Sequence, residues 1–303
     1  MKNFLSIESC KKETIESLVN TAEVLKEARR CGDFSDDVLK NQCWGIVFSK
    51  ASTRTRVSFE VGVRELGGSA LFLSPKDLQL GRGEPIKDTA RVMGRMLHGA
   101  IIRNDSQIEV ESFAEYSKIP TINALTDMEH PCQIIADLLT IKEIQGTWKD
   151  KKIVFLGDVN CNVAHSWIWA AERLGFELIL SGPSEICCPL EYLEKVGSTK
   201  TKYLDNPLDA VRGANVLYTD VWVSMGMEDQ ASQRDGHFNP YQINQDLISI
   251  ADKDVMIMHC LPAYREKEIS EIVFEQNEET IFSQAENRLH AQKAIMKSLV
   301  SSN

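Results

Sequence analysis

The octapeptide SKASTRTR, Ser49 to Arg56, gathers four hydroxyls and two guanidinium groups where an apolar run gives way to a helical pattern. Ser52 suits an N-cap, and a capped helix with solvated Arg54 and Arg56 is the plain account. Cations in a first helical turn nevertheless oppose the positive end of the helix dipole, so an anion is expected there. Backbone N–H groups, the hydroxyls of Ser52, Thr53 and Thr55, and forked guanidinium donors together describe a phosphate cradle. The P-loop spacing GxxxxGK[ST] occurs nowhere in the chain.

Five further segments bear on the chemistry. Arg103 closes a predicted strand, where open α/β sheets present ligand-binding groups; surface charge is the alternative. In His130-Pro-Cys-Gln133, Pro131 suits the first position of a helix, which sets His130 at the cap and Gln133 in the first turn. Capping alone would also explain that pattern. The strand-to-helix turn from Phe155 to Asn162 lacks GxGxxG, which removes the main support for a dinucleotide site. Asp220, followed by Ser224, Met225 and Gly226, offers a carboxylate for an ammonium group and a glycine hinge. Cys260 ends another apolar run and has three readings: a buried structural thiol, a nucleophile, or a polar partner for an attacking amine. His259 is a doubtful base for it, since alternate residues of a strand point to opposite faces. His130 with Cys132, and His259 with Cys260, lack the paired spacing of zinc knuckles, so no metal is expected.

Positioning these groups requires short strands alternating with amphipathic helices, the pattern of βαβ units and parallel sheets. The apolar runs predict strands at 44–48, 70–74, 100–103 and 120–124, then at 152–157, 177–181, 215–219 and 255–259. Apolar spacing predicts helices at 55–66, 86–97, 132–144, 163–174 and 285–300. A turn-like polar stretch at 146–152 marks a division. The expected fold is α/β, with two doubly wound domains, each a mainly parallel sheet flanked by helices. The first domain is expected over 1–134, the second over 135–285, with the helix at 286–303 returning to the first.

The chain has 303 residues, enough for two such domains. A net charge of −10 argues against nucleic acid and anionic membranes as partners. No run approaches the roughly 20 apolar residues that span a bilayer, and the N-terminus lacks a signal-peptide core. The eight cysteines include no CxxC pair and read as reduced thiols. A cytoplasmic protein is expected.

STRTR at 52–56, HPCQ at 130–133, HCLPA at 259–263 and LQLGRGEPIKDTARV at 78–92 resemble the signature segments of the aspartate/ornithine carbamoyltransferase family. The likeness runs from Leu39 to Lys297. It implies a carbamoyl-phosphate domain, an amino-acid domain and a homotrimer with shared active sites. By matched position, Ser52, Thr53, Arg54 and Thr55 would hold the phosphate, with Arg288 of ENRLH returning to it and Gln79 reaching a neighbouring subunit's site. Arg103, His130 and Gln133 would hold the carbamoyl group, and the Leu261 carbonyl would orient its amide.

The segment DxxxSMG is similar to the ornithine branch of the family, which would place ornithine against Asn162, Asp220, Ser224 and Met225. The resemblance favours the third reading of Cys260: coupled to Asp220, it would help the δ-ammonium lose a proton. Arg54, Arg103, His130, Cys260 and Asp220 are therefore the expected catalytic residues. The implied reaction is attack by the δ-amine of L-ornithine on carbamoyl phosphate, giving citrulline and phosphate, with no cofactor. Two departures bear on amine choice: Cys161-Asn162 stands where the ornithine enzymes commonly carry Asn-Asn, and Gly182 to Asp205 is shorter than usual. Another amine such as putrescine or an N-acylated ornithine, a non-catalytic homologue and a nicotinamide dehydrogenase are the competing readings.

Overall fold

Helix α1 (Lys12–Arg30) packs through Ile15, Leu18, Val19, Ala22 and Leu25, one apolar stripe at helical spacing. After it come β1 (Cys43–Phe48), α2 (Thr53–Glu65), β2 (Ser69–Leu73), α3 (Ile86–Met93), β3 (Gly99–Arg103), α4 (Gln107–Ser117), β4 (Thr121–Leu125) and α5 (Pro131–Gln145). The four strands form a wholly parallel sheet in the order β2-β1-β3-β4. Strands β1 and β3 are buried almost throughout, whereas edge strand β2 is partly exposed.

The chain continues with β5 (Lys152–Leu156), α6 (Asn162–Leu174), β6 (Glu177–Ser181), α7 (Ser184–Cys187), α8 (Leu190–Val196), β7 (Thr201–Tyr203), α9 (Pro207–Val211) and β8 (Val216–Thr219). It closes with α10 (Gln245–Ile250), β9 (Met256–His259), α11 (Glu271–Gln276) and α12 (Glu278–Ser301). Five parallel strands make a second sheet in the order β7-β6-β5-β8-β9. One face carries Val154, Leu156, Leu217 and Ile257 against Tyr241, Val273 and Phe274. On the opposite face Phe155 stacks on Tyr218, with Trp167 edge-on to Tyr218.

This is a computed structural model that describes residues 1–74, 83–223 and 236–301. It divides into unit 1, Met1–Leu139 with Glu286–Asn303, and unit 2, Thr140–Ala285. Sequence reading puts the first boundary at 134/135; the contacts put it at 139/140, within an unbroken α5.

The two-sheet α/β architecture is the one expected. Helix α3 ends at Met93, short of residue 97, and Gly94 follows it hard against the Ser117 carbonyl, where a Cβ would stand 2.0 Å from the oxygen. Helix α12 begins seven residues before the predicted 285. The sequence reading assigns no element to α1, α4, β7 or the short helices α7 to α11.

Both sheets reverse strand order once, between β1 and β3 in one and between β5 and β8 in the other. In doubly wound sheets the crevice outside the carboxyl ends at such a point receives the ligand. Ser49 to Arg56 and Arg103 leave the first crevice; Gly157 to Asn162 and Asp220 leave the second.

Candidate active site

In unit 1, register pairs Phe48 with Arg103 at the ends of β1 and β3. Ser49 then closes the gap, its N–H and hydroxyl both donating to the Arg103 carbonyl at 2.8 and 3.1 Å. Ser52 has the extended backbone of an N-cap residue, but its hydroxyl donates to Thr55 Oγ1 at 3.0 Å and caps no backbone N–H. No acidic residue occupies the first turn of α2. The plain reading of a side-chain-capped helix therefore does not describe this turn.

Helix α12 brings Arg288 to the same place. Gly62 makes this possible on α2, since a Cβ there would meet Met296 and Lys293 at 3.2 and 3.3 Å. Arg288 Nη2 donates to the buried Thr55 Oγ1. The guanidinium of Arg103 is also buried, and burial together with the charges of Arg288 and Arg54 lowers its pKa to about 10. Arg54 Nε is itself buried and has no protein partner among the described residues. Three guanidinium groups that repel one another are held together here, and an anion is the group that relieves the repulsion.

His130 immediately precedes α5, as expected from Pro131. Burial, then the charges of Arg288 and Arg103, push its pKa well below 6.5, so the ring is neutral at physiological pH. A neutral imidazole beside three guanidinium groups polarises a carbonyl without adding charge. One turn into α5, Gln133 is buried, and its Nε2 donates to the buried Asp137 carboxylate at 2.8 Å. The Cys132 thiol, pushed up to about 12 by burial, stays protonated and donates to the Asn123 carbonyl.

In unit 2, Gly157 ends β5 with φ +109 and lies so close to β6 that a Cβ on Gly182 would sit 2.1 Å from its carbonyl oxygen. That approach fixes the turn carrying Asp158, Asn160 and Cys161 into α6, which Asn162 opens. Burial, then Asp158 and Asp220, raise the Cys161 thiol well above its ordinary value. Burial also raises the Asp220 carboxyl, against hydrogen bonds from the Cys260 thiol and from Val221 N–H, the latter at 2.8 Å.

Asp220, His259 and Cys260 each bring a ligand atom within 4.8 Å of the others, a grouping able to hold a metal ion on distance alone. Hydrogen bonding decides against His259 as a ligand. Its Nδ1 accepts from Leu261 N–H at 2.9 Å, and its Nε2 faces the buried Glu268 carboxylate at 3.0 Å. Both ring nitrogens are engaged, which leaves no lone pair for an ion. The same bonds hold the strained Leu261, at φ +59, in the left-handed region.

The structure thus gathers Ser52, Arg54, Thr55, Arg103, His130 and Arg288 in unit 1, with Gln133 one turn on, and sets Asp220 against Cys260 in unit 2. Gln79, Ser224 and Met225 lie outside the described residues. Sequence reading missed Asp137 and Glu268. A lone acid in the apolar run Ile134 to Ile141, four residues after Gln133, is a legible signal for the first; the second sits among exposed charges and gives none.

Two family models match: the aspartate/ornithine carbamoyltransferase carbamoyl-P binding domain over residues 2–143, and the Asp/Orn binding domain over residues 149–299. The chain belongs to the aspartate/ornithine carbamoyltransferase family. Within the carbamoyltransferases it is 52% identical over 301 residues to an ornithine carbamoyltransferase of Akkermansia muciniphila, covering 99% of this chain and 98% of that one. It is 49% identical over 302 residues to one of Methanosphaera stadtmanae, covering 98% of each. The solved ornithine carbamoyltransferase from Pyrococcus furiosus superposes with a TM-score of 0.93 at 39% identity, covering 100% of this chain and 98% of that one. Residues 286–299 fall within the carbamoyltransferase Asp/Orn match, although their contacts assign them to unit 1.

Proposed function

We propose that this protein transfers the carbamoyl group of carbamoyl phosphate to the δ-amine of L-ornithine, giving L-citrulline and phosphate. The observation that carries this reading is the trio Arg54, Arg103 and Arg288 around Thr55 and a neutral His130. Ser52, Thr53, Arg54, Thr55 and Arg288 bind the phosphate, while Arg103, His130 and Gln133 bind the carbamoyl group. As the neutral amine adds to the carbamoyl carbon, charge builds on the carbonyl oxygen, where Arg103, His130 and Thr55 donate to it. The C–O bond to phosphate then breaks, and Arg54 and Arg288 neutralise the leaving group. A preorganised donor of this kind is worth about 2.7–4 kcal/mol of barrier.

On unit 2, Asp220 offers a carboxylate to the cationic acceptor, and Cys260, hydrogen-bonded to it, helps the δ-ammonium lose its proton. Asn162, at the start of α6, binds the amino-acid end; Ser224, Met225 and, toward a neighbouring subunit, Gln79 complete the expected set. The Leu261 carbonyl accepts from the carbamoyl amide.

Free thiols at all eight cysteines support a reducing, cytoplasmic setting. Among the described residues no helix is long and apolar enough to cross a membrane. A homotrimer is the proposed assembly, supported by exposed Val57, Leu71, Val92 and Met96 in unit 1, Leu71 lying on edge strand β2. Citrulline formation from the two substrates tests the reading, with putrescine and N-acetylornithine as competing acceptors. No citrulline, together with no binding of a phosphonacetyl bisubstrate analogue, overturns it.

A further inference from the structure

The side-chain amide of Gln133 has two chemically opposite ends, and the structure uses only one. Its Nε2 donates to Asp137 at 2.8 Å, with Gln133 only 1% exposed and Asp137 fully buried. Its Oε1 is also buried and has no protein partner among the described residues. A carboxylate accepts hydrogen bonds and donates none, so Asp137 commits the NH₂ end and leaves the carbonyl oxygen as the end available to a ligand. Rotating the amide would set oxygen against oxygen inside a buried pair, at the full penalty of unsatisfied polar groups.

We propose that Asp137 is a positioning residue that fixes the sense of the Gln133 amide, so that unit 1 presents an acceptor and selects an acyl phosphate bearing an NH₂ group. This rests on the reading of unit 1 as a carbamoyl-phosphate site. Carbamoyl phosphate donates from its NH₂ to Oε1; acetyl phosphate, nearly the same shape, offers a methyl group and leaves that oxygen buried and unpaired. Sites built to hydrogen-bond a substrate group discriminate strongly against analogues lacking it. Without the Asp137 carboxylate the amide turns freely, and its NH₂ end meets the substrate's NH₂ donor to donor.

The test compares dissociation constants of carbamoyl phosphate, acetyl phosphate and inorganic phosphate, measured by calorimetry without ornithine. In the wild type, carbamoyl phosphate binds more tightly than acetyl phosphate. Asp137→Asn lowers that preference at least tenfold and leaves inorganic phosphate within twofold, an outcome that general loosening of the fold cannot give. Asp137→Glu, which keeps a carboxylate, retains more of the preference than Asp137→Asn. In a Gln133→Ala background, adding Asp137→Asn changes the preference no further, since the two residues act as one unit. An unchanged preference in Asp137→Asn, or a further loss in the double variant, overturns the proposal while carbamoyl-phosphate binding upholds the functional reading. Absence of carbamoyl-phosphate binding in the wild type overturns both. Should Asp137→Asn not fold, the Gln133 side-chain amide protons are followed by NMR in the wild type, assigned by their loss in Gln133→Ala. They remain protected from exchange before and after carbamoyl phosphate is added; fast exchange in the free protein overturns the proposal.

Discussion

Arg288 and Thr55 are joined by a hydrogen bond between side chains 233 positions apart in sequence. Thr55 also accepts from Ser52, so one hydroxyl oxygen anchors both the late arginine and the start of α2. Arg54→Ala removes a guanidinium from this cluster without touching the Thr55 bonds. Turnover is expected to fall by roughly 10²–10³, with the thermal midpoint within a few degrees of wild type. Steady-state kinetics alongside calorimetry check this, and near-normal turnover would reduce the cluster to a helix terminus.

Removing the acid of unit 2 should separate the two substrates. Asp220→Asn keeps the shape, including an acceptor for Val221 N–H, and deletes the charge that a diamino acid needs. Its kcat/KM for ornithine is expected to drop about a hundredfold or more, at about 1.4 kcal/mol per factor of ten, while phosphate dissociation stays unchanged. Equal losses on both sides would contradict assigning the acceptor to this unit.

Stability should fall with acid in a defined window. His130 is held well below 6.5 by burial, and burial lowers His290 to about 4 despite Glu286. Both remain neutral in the fold while the unfolded chain protonates near 6.5, so the unfolded state binds more protons and stability declines as pH drops below that value. For His290 the loss at pH 5 is on the order of 1–2 kcal/mol. Urea midpoints across pH 4–7 should show a shallower decline in His290→Asn; parallel curves would refute the assignment.

Gly182→Ala drives a methyl group into the Gly157 carbonyl at 2.1 Å and toward Cys187 Sγ at 2.9 Å. Backbone must move, and a cost of about 1–3 kcal/mol is expected. Because that turn leads to Asn162, ornithine KM should rise as well, with phosphate affinity untouched. Denaturation and kinetics on one preparation read both effects.

Much of the fold is legible in the order of the amino acids. Strands β1, β3, β5, β6, β8 and β9 fall within a residue or two of their apolar runs, because buried parallel strands leave short unbroken stretches such as Ile153 to Leu156. Strand β7 is three residues long and held at an edge by pairing with β6, which no short window reveals. Helix α1 has a clear stripe, but its N-cap residue Lys11 makes no side-chain cap, so its onset lacks a mark. In the site, guanidinium and hydroxyl groups announce themselves by clustering at a strand end. The bonds that orient them do not: Glu268 reaches His259 by a tertiary path, and only the folded chain shows that Ser52 turns to Thr55 and not to the backbone.

One unit is a single stretch of polypeptide and the other is interrupted by it. A ribosome finishes Thr140–Ala285 before it releases Glu286 onward, so unit 2 has its whole sequence in hand first. The unit begun earliest must wait for Arg288 until the other unit has been synthesised. The unit begun first is thus the one completed last, and a nascent chain stalled before that arginine lacks one of the three clustered guanidinium groups.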